Sequence, residues 1–406
     1  MSSPDEHVVV VGGSTGAVRT VQALRRVGFD GRLTMVSDES HMPYDRPPLS
    51  KDLLAEDHAG DPVPLLTVEQ AADLHVEVLL DTRASGLDPL GRTVTVDHLG
   101  QVRQISYDHL VIATGAAARR LPGPELDAVH VIRCLDDVAR LRHALGAARR
   151  AVVIGAGFIG AEFASAARSR GMEVTLVEAQ PHPFAQLLGE EVGAEVAGVH
   201  AAHGAQLLTG VGVEAVRTAA DGTTEVVLAD GRVLPTDVVV VGVGAVPNTA
   251  WLVGSGLPVM DGIECSADLE VVGWPDIHAV GDVARWPHPS YPTPIRVEHW
   301  TNAGDHAEIV AAHLTGARPP RPTVPYVWSD QYGHRIQIVG RPGEGELARR
   351  RGSMEAGDLV AVYATDAGAV VGAIVVDDPR LLMKLRKAVT AGTTAAELDE
   401  TFFLPA

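Results

Sequence analysis

Cysteine is nearly absent from this chain: among 406 residues only Cys134 and Cys265 occur. They do not form a Cys-x-x-Cys pair, so no local redox dithiol is present. An iron–sulfur cluster ordinarily takes four cysteine ligands, so any cluster that works with this chain must sit on another protein. The two thiols read most simply as buried small hydrophobes, and no residues are assigned to a metal. Positive charge is also scarce. With 33 Lys and Arg against 52 Asp and Glu the formal net charge is −19, which argues against a nucleic-acid-binding surface. Long apolar runs are missing too: Val238 to Val246 is broken by glycines and falls far short of the roughly 20 residues that span a bilayer. Met1 to His7 carries neither the cationic nor the apolar segment of a signal peptide. A cytoplasmic protein without membrane spans is expected, and no low-complexity tract stands out.

What is present is the composition of a folded chain, 46% hydrophobic and 21% charged, with length for roughly two or three domains. Val8 to Val11 reads as a strand. A glycine-bearing turn, a helical pattern over Val18 to Val27 and a second strand, Arg32 to Ser37, follow it and end at Asp38 and Glu39. This is a parallel βαβ unit. The pattern recurs as the strand Ala151 to Ile154, the turn Gly155 to Gly160, a helix to about Arg170, and the strand Glu173 to Glu178. Two such units predict two nucleotide sites, the architecture of a two-dinucleotide flavoenzyme. Leu110 to Gly115 and Val238 to Gly244, the latter running into Ala245 to Asn248, read as crossing points between domains. From about Thr323 shorter alternating runs take over (Gln337–Val339, Leu359–Tyr363, Ala369–Val376), followed by a helix over Pro379–Ala391. They predict a mostly antiparallel sheet with a covering helix.

The second turn is the stronger fingerprint. Gly155 permits a tight turn, Gly157 lets backbone approach a pyrophosphate, and Gly160 lets the helix pack on the strand, with Phe158 and Ile159 opening the helix. Phosphates would sit at the helix N-terminus, where free N–H groups and the dipole favour an anion. Glu178, about 20 residues on, would accept bonds from ribose hydroxyls and repel a 2′-phosphate. No Arg or Lys follows it closely, so NADH is expected over NADPH. The first turn departs from the pattern: Gly12-Gly-Ser-Thr-Gly-Ala17 has Ser14 in the second glycine position and Ala17 in the third, with Thr15 and Gly16 between. Alanine is tolerated there. Ser14 adds a Cβ near the phosphates, or donates its hydroxyl to one. Asp38 and Glu39 supply the acidic strand end.

Pro43-Tyr-Asp-Arg-Pro-Pro-Leu-Ser-Lys51 resembles the flavin-covering stretch of the oxygenase-coupled NADH-dependent ferredoxin reductases, the putidaredoxin-reductase-like branch of the glutathione-reductase fold. The likeness continues through Ala113-Thr-Gly115, Gly155–Gly160, Pro247-Asn248, Ala279–Ala284, Val297–Asn302 and Tyr326–Tyr332, and so runs along essentially the whole chain. It implies an α/β fold of two Rossmann-like domains plus a C-terminal α+β domain: FAD-binding over 1–115 and 245–320, NAD-binding over 116–244, and the third domain over 321–406. By the same resemblance Asp282, beside Gly281 at a helix start, contacts the FAD ribityl chain or phosphate. Glu298, His299 and Trp300 lie by the flavin ring, and Trp328 stands near it from the third domain. Asp38, Arg46, Ala84, Arg133, Thr114 and Gly115 match FAD-contacting positions, and Gly242 and Gly244 join the nucleotide-binding set. Lys51 and Glu162 match a lysine–glutamate ion pair beside the flavin on the nicotinamide side. A lysine there would stabilise the charge that hydride transfer brings.

The implied chemistry is hydride from NADH to FAD, then single electrons to a separate two-iron two-sulfur ferredoxin that feeds a ring-hydroxylating dioxygenase or haem monooxygenase. No cysteine follows the first βα unit where disulfide reductases of this fold carry their redox pair. Arg349–Arg351 and the cluster Arg380, Lys384, Arg386 and Lys387 would steer an acidic ferredoxin; the same charges also read as a solvated face or a cation-favouring helix end. Another acceptor (rubredoxin or a small molecule) and a slow redox-sensing flavoprotein resembling apoptosis-inducing factor remain alternatives. Monomer and homodimer are both left open.

Overall fold

The computed structural model describes residues 5–54, 61–123 and 126–398. Residues 1–4 of the stretch read for a leader, and 399–406 of the expected third domain, lie outside them. Of the described residues, 5–45, 61–117 and 246–325 form one compact unit, and 46–54, 118–245 and 326–398 form a second.

In the first unit, Val8 to Val11 is at most 3% exposed at any position. Such an unbroken apolar run suits a parallel sheet covered on both faces. The strand His7–Val11 lies inside a sheet ordered Trp274–Ala279, His109–Ile112, His7–Val11, Arg32–Val36 and Val76–Leu79, all parallel, with the short strand Glu270–Val271 antiparallel at one edge. The helix Thr15–Arg26 buries Ala17, Val18, Val21 and Leu24 at helical spacing and packs against the helix Trp300–Thr315. A meander of Thr82–Asp88, Thr93–His98 and Gln101–Ser106 completes this unit.

The second unit repeats the design. Gln206–Thr209, Glu173–Glu178, Arg150–Ile154, Val238–Val241 and Val129–His130 form a parallel sheet in that order, with the helix Phe158–Ser169 after the turn. The C-terminal part is a fully antiparallel five-stranded sheet, ordered Tyr326–Gln331, His334–Gly340, Val370–Val376, Val360–Ala364 and Glu346–Arg351. The helix Pro379–Ala391 packs on two of its strands. That helix is delimited as its sequence dictates: Pro379 opens it, the Asp378 side chain accepts from Leu381 N, and Gly392 at φ 64° ends it. The α/β architecture with two dinucleotide-type sheets and a C-terminal antiparallel sheet is therefore as the sequence led one to expect. Among the described residues no helix is long and apolar enough to cross a membrane.

The helix start expected at Gly281 and Asp282 takes a short form. Gly281–Val283 is a single 3-10 turn. Gly281 takes φ 73°, and the chain leaves as the strand Ala284–Trp286, so Asp282 does not open a long helix. The helix near it begins at Trp300.

Two buried histidines set an acid limit. His306, 0% exposed, accepts from Gly281 N through Nδ1. His200, also 0% exposed, bonds the Tyr332 hydroxyl. Burial, reinforced by a neighbouring histidine in each case, pushes them down to about 3 and about 4. Between these values and the unfolded value of about 6.5 the unfolded chain binds more protons, so stability rises with pH. Each histidine should remove about 1.4 kcal/mol per pH unit as pH falls through that window. Urea titrations from about pH 7 to about pH 5 should show this slope, and His306→Asn, which keeps an acceptor for Gly281, should flatten it by about one proton.

Candidate functional site

The first turn shows why its departures are tolerated. Gly12 sits at φ 143°, and a Cβ there would lie 2.2 Å from the Ala113 carbonyl oxygen, so glycine is required. Ser14 is the N-cap of the first helix with φ −134°, ordinary extended backbone for an L-residue. Thr15, Gly16 and Ala17 are buried in its first turn, which contains no acid. That leaves the helix N-terminus electropositive and suited to a phosphate. Asp38 and Glu39 follow the second strand as expected. Asp38 is mostly exposed, 3.8 Å from Arg83, and Glu39 accepts from the Tyr44 hydroxyl. Ala84 lies half-buried in the adjoining meander.

Around that turn the same unit assembles a second group. Thr114 Oγ1 donates to the Asn248 carbonyl, Asn248 Nδ2 donates to the Thr114 carbonyl, and Asn248 N donates to Gly115 O, each at 2.9 Å. Arg296 donates to the Asp282 carbonyl and pairs with Glu298 and Asp261. His299 is the N-cap of the helix that starts at Trp300. The indole N–H of Trp300 donates to Asp45 Oδ1 at 2.7 Å, and the Arg19 guanidinium lies over its ring. The indole is thereby fixed at both its edge and its face.

The second turn is the more exacting. Gly155 at φ 95° would place a Cβ 2.4 Å from Gly242 O, and Gly160 would place one 2.1 Å from Gly155 O. Gly157 is the N-cap of a helix whose first turn is again free of acid. Ile159 is 41% exposed, and Phe158 packs on Phe184. Gly242 N donates to Ile154 O, and Gly244 O accepts from Arg119 N. Glu178 is aimed at the turn, accepting from Ala156 N and Gln180 N at 2.9 Å each.

Lys51 and Glu162, distant in sequence, meet in the second unit at 2.8 Å, with side chains 15% and 3% exposed. The Glu162 carboxylate also accepts from Ser50 Oγ and, at 2.7 Å, from Ser329 Oγ, which in turn accepts from Gln331 Nε2. A cavity of about 460 Å³ opens beside the pair, lined among others by Ser165, Arg168, His203 and Tyr332. Arg46 donates to the Arg133 carbonyl, and Trp328 stacks on Tyr326. Neither thiol is suited to redox work. Cys134 caps the helix Leu135–Leu145, and the buried Cys265 thiol is pushed up to about 12 by desolvation.

The expected basic patch is smaller than its sequence. Arg350 is paired with Glu191 and Glu195, and Arg351 lies 3.5 Å from Asp378. Arg386 lies over the Tyr326 ring. Arg380, Lys384 and Lys387 are exposed along one helix. The sequence did not reveal Ser50, Ser329 and Gln331 around Glu162, Asp45 on Trp300, or His306 behind Gly281. Single polar residues that act across 25 to more than 250 positions have no periodic signature. A usable signal existed for Lys51, since Lys384 and Lys387 are the chain's other lysines.

Breaking the buried pair from one side should be costly. Lys51→Met strands the Glu162 carboxylate and should lower stability to urea by about 3 kcal/mol. Adding Glu162→Gln, which still bonds Ser50 and Ser329, should restore most of that. A loss under about 0.5 kcal/mol in the single variant would mean the pair is screened like a surface bridge.

Comparison with known proteins agrees with this geometry. The family model for pyridine nucleotide-disulphide oxidoreductases matches residues 6–307, and the reductase C-terminal domain matches residues 326–400. Rhodocoxin reductase of Rhodococcus erythropolis is 34% identical over 384 residues, 94% of this chain and 88% of that protein. The ferredoxin–NAD(+) reductase component of the biphenyl dioxygenase system of Paraburkholderia xenovorans is 33% identical over 92% of this chain and 91% of its own length. The crystal structure of the covalent putidaredoxin reductase–putidaredoxin complex aligns with a TM-score of 0.90 at 30% identity, covering 96% of this chain and 94% of that one. The chain therefore belongs to the pyridine nucleotide-disulphide oxidoreductase family, in its putidaredoxin-reductase-like branch.

Proposed function

We propose that this protein is an NADH:ferredoxin oxidoreductase that holds FAD in its first unit and NADH in its second, and works in the cytoplasm beside an oxygenase. The observation that carries the reading is the buried Lys51–Glu162 pair, an ammonium held by a carboxylate that two serine hydroxyls hold in turn. The relatives named for ferredoxin reduction support the acceptor. So does the lack of a usable dithiol, which leaves electrons no route through the chain's own sulfur.

The residues fit the two dinucleotides. Each glycine turn ends in an acid-free helix N-terminus for phosphate, and each second strand is followed by an acid for a ribose. Bound FAD would supply the conversion of hydride chemistry into single-electron delivery. Lys51 would contribute positive charge to the hydride transfer, and Glu162 would hold that ammonium in place. Gly281, Asp282, Thr114 and Gly115 would line the FAD, with Glu298, His299, Trp300 and Ala84 of the same unit as further contacts. Gly155, Gly157, Phe158, Ile159, Gly160, Gly242 and Gly244 would take the NADH pyrophosphate side. Glu178, already aimed at the turn, would choose NADH over NADPH. The three functional domains would be 1–115 with 245–320, 116–244, and 321–406.

The test is anaerobic reduction of a two-iron two-sulfur ferredoxin by NADH, compared with reduction of ferricyanide. Lys384→Glu with Lys387→Glu should slow the first while sparing the second, because steering by exposed charge acts on encounter. Equal loss in both assays sinks the docking surface, and a wild-type protein that reduces ferricyanide but no ferredoxin sinks the acceptor. Glu178→Ser should narrow the preference for NADH over NADPH by tenfold or more, about 1.4 kcal/mol. An unchanged preference would remove Glu178 from its role.

A further inference from the structure

The helix that begins at Trp300 ends beside a group of side chains that the proposed reaction does not use. We propose that Glu270, His278 and His313 form a binding site for a divalent metal ion of the zinc type. One ligand atom from each lies within 4.8 Å of the other two. Glu270 and His278 are direct partners across the antiparallel edge hairpin, which sets their side chains on one face about 5 Å apart. His313 arrives from the last turn of the helix Trp300–Thr315. Its Nε2 lies 3.4 Å from Glu270 Oε2, about the edge of a tetrahedron built on bonds of about 2.0–2.1 Å.

His278 is the independent observation. It is 0% exposed, yet neither of its ring nitrogens has a hydrogen-bond partner. Buried polar groups without partners are few and costly. Its ring lies 5.2 Å from that of His313 and tilted by 56°, so the two do not stack. The other nitrogen of His313, Nδ1, faces the Asp268 carboxylate at 3.9 Å. A carboxylate behind a ligating imidazole is the usual outer support of a metal site. Two imidazoles and one carboxylate suit zinc better than calcium or magnesium, which prefer all-oxygen shells, and water would complete the set. The ion would clamp the edge hairpin to the helix end. That point is about 20 Å along the helix from Trp300, so its effect falls on stability and not on electron transfer. The sequence assigned no metal because the ligands come from a hairpin and a distant helix, with no local spacing to read.

The full chain, stripped with a chelator, should take up one zinc ion per chain after loading and gel filtration. Zinc should also raise its melting temperature. Glu270→Gln with His313→Gln should weaken the site at least 100-fold in competition with a chromophoric chelator and abolish the thermal shift, with the circular dichroism spectrum unchanged. Asp268→Asn should weaken it about tenfold, and supplies the reading if the double variant does not fold. His182→Gln, at the exposed His182–Glu190 pair elsewhere, should bind zinc as the wild type does. A wild-type chain that retains no stoichiometric zinc, or variants at Glu270, His313 and Asp268 that bind it equally tightly, would overturn the site.

Discussion

A nearly buried carboxylate organises the second unit. Glu162 lies on the helix behind a dinucleotide turn and is 3% exposed. An unpaired charge there would be strongly destabilising, and the structure meets it with partners from two places. Lys51 and Ser50 come from the short 46–54 segment, and Ser329 comes from the first strand of the C-terminal sheet. This requirement gives a physical reason why those segments gather with residues 118–245 into one compact body. The functional division along the chain and the mechanical one need not coincide. A group that serves chemistry also joins parts that a linear reading separates.

The two glycine turns show how similar folds can tolerate different sequences. The second is constrained by backbone on backbone: Gly155 and Gly160 each have a carbonyl oxygen where a Cβ would stand. In the first, only Gly12 is held that way among the three fingerprint positions. Ser14 occupies extended backbone, and Ala17 packs its methyl into the core. The first turn is thus a weaker match to the motif without being a poorer helix start. What the two share is physical, a helix N-terminus with no acid in its first turn.

Charge and sulfur follow the same rule that a residue's surroundings decide its use. The family takes its name from disulphide chemistry, yet here one cysteine caps a helix and the other is buried with a thiol raised to about 12. Of seven basic residues that looked like a patch, two arginines are occupied by carboxylates and one lies over an aromatic ring. Counting residue types gave the right exclusion for sulfur and too large a surface for charge.

Most of the architecture was legible in the residues because it rests on local rules. Val8 to Val11, Ala151 to Ile154, the glycine turns and the Asp378–Gly392 frame of the last helix are each dictated by neighbours a few positions away. Lys51 and Glu162 were singled out through resemblance, and the structure supplied their contact. By itself the sequence determined the two βαβ units, the antiparallel C-terminal sheet, the family, and the shortage of sulfur. Tertiary structure alone decided that Glu162 is buried and shared by Ser50, Ser329 and Lys51, that Asp45 anchors Trp300, that Gly281 opens a single turn, and that Glu270, His278 and His313 converge. Most of these are polar contacts between residues tens to hundreds of positions apart. No periodicity encodes them, and only the packing of finished elements brings them within bonding distance.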